Sequence, residues 1–136
     1  MELYLSKEAT MGAVQSEFSG AFPGLKIAFF SKPHGESKGS AAKFLLQHKE
    51  TLLGELSPNL KVGSLSIQPE SVVWAVESDF EKNFGLHVQI FRKSGNLWLE
   101  TSVSDKLTLA AQMQKAAESE QIHAPMVDPM DYREQD

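Results

Sequence analysis

Six side chains carry whatever chemistry the sequence offers: Tyr4, Phe30, His87, Gln89, Phe91 and Trp98. Each lies in an extended segment, and strand alternation turns all six to one sheet face. Aromatic rings beside an imidazole and an amide suit a small-molecule pocket or a subunit interface, because so much apolar surface is rarely left in water. If one residue is catalytic it is His87, flanked by apolar residues and able to act as a general base with Gln89 and Trp98 nearby. His34, His48 and His123 complete the histidines, and no two have the i, i+4 spacing of a zinc site. The chain has no cysteine, which removes thiolate ligands and a cysteine nucleophile. GxGxxG does not occur. No metal, no cofactor and no recognisable catalytic set are therefore expected.

Two weaker features have ordinary explanations. Lys32 and Lys38 sit in a polar, glycine-containing loop that runs toward a helix, a setting suited to an anion, but Gly35 and Gly39 do not have phosphate-loop spacing. Glu8 and Glu70, like Glu17 and Asp79, recur at matching places, the first pair expected in first helical turns and the second on solvated helix faces.

The elements that position these residues follow from an internal repeat. Residues 1–32 align with 63–93, so that Leu3, Glu8, Ala13, Val14, Ser16, Phe18 and Phe22 meet Leu65, Glu70, Ala75, Val76, Ser78, Phe80 and Phe84. One deletion at Pro23 then brings Gly24, Leu25, Phe30 and Lys32 onto Gly85, Leu86, Phe91 and Lys93. A repeat of this kind constrains architecture more than local propensity does. Each copy reads as strand, helix, strand. Ser6 is the expected cap of the first helix; in the second, Gln68 caps and Pro69 takes the first helical position. Gly24 and Gly85 stand where a left-handed residue ends each helix. The strands at 25–32 and 86–93 bury Leu25, Ile27 and Phe29, or Leu86, Val88 and Ile90, and Gly95-Asn96 turns the second into a hairpin with 97–101. Helices are expected at 40–56 and at 105–119, the latter capped by Asp105, as additions outside the repeat. Whether they cover the aromatic face decides what that face does.

Two such units make an α+β, ferredoxin-like split βαβ duplication, an antiparallel sheet of order 5-4-1-3-2 with helices packed on it. The alternative is a doubly wound parallel sheet. Residues 1–123 form one domain, and 124–136, with Asp128, Asp131, Glu134 and Asp136 against Arg133, form an acidic, flexible tail. A formal charge of -5 over 136 residues argues against nucleic-acid binding, and the basic ribonucleoprotein signature is missing. Without a long apolar run or a secretory leader, a cytoplasmic chain that does not meet the membrane is expected.

The stretch FGLHVQIFRKSGNLWLETSVSD, residues 84–105, resembles a motif of short, uncharacterised bacterial proteins, with the Arg92 to Asn96 hairpin tip and the Trp98 to Thr101 run as its specific elements. The resemblance implies no activity, cofactor or catalytic residue. The leading expectation is a non-catalytic interaction or regulatory module that self-associates as a homodimer or other homo-oligomer, using the aromatic face or the 25–32 strand edge. A small-molecule sensor and a cofactor-independent enzyme using His87 are the alternatives.

Overall fold

The structure is a computed structural model that describes residues 1–32 and 44–123, the last three by backbone alone. In chain order it comprises β1 (Glu2–Leu5), α1 (Met11–Ala21), β2 (Leu25–Phe30), α2 (Leu53–Leu56), β3 (Gly63–Ser66), α3 (Val73–Phe84), β4 (His87–Ser94), β5 (Leu97–Glu100) and α4 (Leu109–His123). The fold is α+β with two antiparallel sheets. The tail at 124–136, and with it Lys38 and His34, lies outside the described residues.

The strands do not take the ferredoxin-like order. β1 pairs with β3, and β2–β4–β5 form a separate sheet. The expected β1–β3 and β4–β5 pairings form, whereas β2–β4 replaces the expected β1–β4 and β2–β3 pairings. The reason is burial. Ala28 and Phe30 on one face of β2 are buried, as are Leu25, Ile27 and Phe29 on the other, and β4 likewise buries Gln89 as well as Val88 and Ile90, so the two strands buried on both faces pair with each other. β1 and β3 bury one face only and suffice for a short two-stranded sheet.

Both registers respect the repeat. Leu3 lies opposite Leu65 in the first sheet and Ala28 opposite Gln89 in the second. These are the residues that the sequence alignment equates, so each antiparallel pair has its own dyad between counterparts.

The correspondence also extends beyond the aligned segments. Met11 and Gly12 donate backbone N–H groups to Thr51 and Lys49, while Leu53 and Gly54 donate to Ala9 and Lys7. Sixty-two positions on, Val73 and Trp74 donate to Leu107 and Asp105, while Leu109 and Ala110 donate to Ser71 and Pro69. Residues 49–54 and 105–110 are thus counterparts, at a constant offset of 56, and not unrelated additions. This backbone pairing corrects five expectations together. Lys7 and Ala9 carbonyls are occupied, so α1 starts at Met11 with Thr10 as cap, its hydroxyl accepting from Ala13 N at 3.1 Å, and not at Ser6. For the same reason α3 starts after Val72, not after Gln68, and Glu8 and Glu70 precede their helices. α4 starts at Leu109, where the Thr108 hydroxyl accepts from Ala111 N, and not at Asp105. The helix expected over 40–56 is reduced, among the described residues, to the single turn of α2, because the groups at 49–54 that a helix would use are bonded to 7–12.

Phe18, Phe29, Phe80, Leu3, Leu5, Leu53, Ile67 and Ile90 centre one core. α4 lies on the face of Arg92, whose guanidinium donates to Gln112 Oε1 at 2.9 Å, and crosses Gly24 through Ala116. The φ of +86° at Gly24, with Ala116 Cβ 2.8 Å from where a Cβ would stand, makes Gly24→Ala destabilising by about 1–3 kcal/mol. At Gly20, inside α1 with open space around the added methyl, the same change is expected to stabilise by about 0.5–1 kcal/mol. Urea unfolding of the two variants reads the opposite signs.

Candidate functional site

The six residues of the expected aromatic face are only partly brought together. Tyr4 is on β1, in the other sheet, and is 59% exposed. Phe30 and Gln89 are buried, and Phe30 is opposite His87 in register. Phe91 and Trp98 remain accessible, with Lys26 between them: its Nζ is 4.5 Å from the Trp98 ring centre and 5.7 Å from that of Phe91. α4 packs on the face of Arg92, opposite that of Phe91, and residues 44–46 run along the edge of β2.

That edge is not free, contrary to the expectation for strand 25–32. Leu46 N donates to Phe29 O and Ser31 N to Phe44 O, both at 2.9 Å. Farther down, the Gln15 amide donates to Ile27 O and the Ser19 hydroxyl to Leu25 O, both at 3.0 Å. Between α1, β2 and 45–49 lies a cleft of about 510 Å³, within the range of small-molecule sites. Gly12, Gln15, Ser16 and Ser19, at i, i+3, i+4 and i+7, give it one polar wall of small residues. Met11, Ile27, Ala28, Leu46 and Phe91 supply the apolar surface. Leu45, Gln47, Lys26 and Lys49 complete the lining, which contains no carboxylate.

The electrostatics follow from that composition. Burial, and then repulsion from Lys49, hold the Lys26 ammonium below its usual pKa of 10.5. A pKa lower in the folded than in the unfolded state means that the unfolded chain binds the extra proton, so this group's contribution to stability rises with pH from the lowered value up to 10.5. Lys26→Gln is accordingly expected to leave the thermal unfolding midpoint unchanged or higher. A fall of several degrees would show instead that Lys26 supports the fold.

A second, smaller cleft, about 220 Å³, is lined by Trp74, Glu77, Ser78, Glu81, Lys82, His87 and Val88. All but Lys82 are the repeat counterparts of cleft residues, in order Gly12, Gln15, Ser16, Ser19, Lys26 and Ile27. The same place in the fold is therefore built twice with different chemistry. Here His87 Nδ1 is 3.9 Å from Glu81 Oε1. Glu77 Oε2 accepts from Ile90 N at 2.8 Å and from the Gln89 amide at 3.2 Å, closing the β4 edge as Gln15 closes that of β2. Lys32 is apart from both clefts, its Nζ 5.9 Å from the Phe44 ring centre.

Comparison with family models, curated proteins and solved structures finds no match for the chain. Among the described residues no three His, Asp or Glu side chains are grouped to hold a metal ion, and no helix is long and apolar enough to cross a membrane.

Lys26, Lys49 and the polar stripe of α1 were not singled out by sequence reasoning. The signal that could have found them is divergence within the repeat. Gly12 against Trp74 and Lys26 against His87 break a pattern whose apolar positions are otherwise kept.

Proposed function

We propose that this chain is a duplicated strand-helix-strand module that binds a small molecule in the cleft between α1, β2 and residues 45–49. The observation that carries the reading is the cleft itself: an accessible hollow of ligand size, with an apolar floor, a polar helix face and two cations. The shared dyad registers and the repeated backbone hydrogen bonds support duplication of an ancestral unit. A panel of metabolite-sized compounds tested by thermal shift on the parent chain and on Ser16→Trp, which places a large ring in the hollow, tests the reading. Compounds that stabilise the parent and not the variant support it; stabilisation that is the same in both places the ligand elsewhere.

Self-association is a second reading, favoured by β5. Among the described residues this strand pairs only with β4, and it presents Trp98 at 38% exposure. Antiparallel β5–β5 pairing across a twofold axis would join two three-stranded sheets into one homodimer. Light scattering at high micromolar concentration should then give twice the chain mass, falling to one on Trp98→Lys.

A further inference from the structure

The two clefts share a backbone frame and differ in charge. In the first repeat the positions flanking the hollow are Lys26 and Lys49; in the second their counterparts are His87 and Asp105, with Glu77 and Glu81 alongside. Asp105 and Glu77 are fully or nearly buried, and Trp74 stands where the first repeat has Gly12. The second copy is thus the smaller hollow and is supplied with its own anions. The first has a hollow and two like charges.

From this difference, and resting on the proposal that the first cleft binds a small molecule, we infer that its ligand is a carboxylate-bearing molecule with a flat or branched apolar body. The carboxylate takes the place between Lys26 and Lys49 that protein acids would otherwise fill, and the body lies on Ile27, Ala28 and Phe91. Three observations point the same way. Two cations and no anion line this hollow in a chain of formal charge -5, so the local sign is opposite to that of the whole. Among the described residues neither lysine has a carboxylate partner, and Lys26 rests instead over the Trp98 and Phe91 rings. Burial and Lys49 together disfavour the Lys26 charge, a penalty that an anion bridging the two ammonium groups would reverse. The apolar lining excludes a bare inorganic anion as the best ligand, because such an ion would leave that surface in water. Gln15 adds an acceptor: its amide nitrogen is used by Ile27 O, while Oε1 is buried without a protein partner and suits a hydroxyl on the ligand.

Isothermal titration of the full chain with 2-naphthoate, its neutral amide 2-naphthamide, the amine 2-naphthylmethylammonium and inorganic phosphate tests this. The carboxylate should bind tightest, and Lys26→Gln and Lys49→Gln should each weaken it by about tenfold to a hundredfold while leaving the amide's affinity unchanged. The second cleft serves as an internal control, so Lys82→Gln should leave carboxylate affinity as it was. Equal binding of carboxylate and amide, or preference for the amine, overturns the anion inference and leaves a binding cleft standing. Phosphate binding as tightly as naphthoate overturns the apolar body. If no probe binds and the proteins remain folded by circular dichroism, the inference and the binding reading fall together.

Discussion

Phe80→Ala is expected to lower the unfolding free energy by about 3–5 kcal/mol, the usual range for deleting a fully buried aromatic ring. Phe80 is wholly buried on α3 and meets Phe29 of β2 edge-on, with ring centres 6.5 Å apart and planes at 88°. The contact ties the helix of the second repeat to a strand of the first, so its loss opens a cavity where the two copies join. Against a total of about 5–15 kcal/mol for a domain of this kind, the variant would stand close to unfolding at ambient temperature. Urea denaturation should show a much lower midpoint with an unchanged slope. A loss below about 1 kcal/mol would mean that the site collapses without a cavity, and that Phe80 does not hold α3 on the sheet.

Glu77→Ala should rank next, at about 2–5 kcal/mol, because it removes a buried acceptor from two donors that have no route to water. Glu77 is 3% exposed and Gln89 fully buried, and the carboxylate accepts from both Ile90 N and the Gln89 amide. β5 pairs with β4 only from Phe91 onward, so at Ile90 the carboxylate is what satisfies the strand's open N–H. Glu77→Gln keeps an oxygen in place and should lose much less, provided the amide presents that oxygen to Ile90 N. The contrast between the two variants, read by urea unfolding, separates loss of the acceptor from loss of packing. Equal losses would assign the effect to packing. In Gln15, the counterpart, nature already has the amide, but there it donates to a carbonyl.

Much of this fold was legible because it rests on side-chain burial. The repeat was carried by Phe18 and Phe80, Phe22 and Phe84, Leu25 and Leu86, all buried. The tight turn at Gly95 and the left-handed Gly24 and Gly85 were legible from residue type, since positive φ selects glycine. The pairing of 7–12 with 49–54, and of 69–74 with 105–110, was not. Those contacts are backbone hydrogen bonds, which leave side chains free to diverge: across the aligned six, only Leu53 and Leu109 are identical. Missing that pairing made Leu45, Leu52 and Leu56 look like a helical stripe, and hid Lys49, which only this pairing brings to the cleft. The aromatic face was half legible. Alternation correctly placed Phe91 and Trp98 together, but it could not show that Tyr4 belongs to a second sheet, which depends on strand pairing and not on periodicity.

Backbone amide shifts of the full chain, followed as 2-naphthoate is added, test the cleft most directly. Saturable changes at Gly12, Gln15, Lys26, Ala28, Leu46 and Lys49, with Trp74, Glu81 and His87 unmoved, are the predicted result. Changes centred on Trp74 and His87, or none that saturate, would contradict a binding site between α1 and β2.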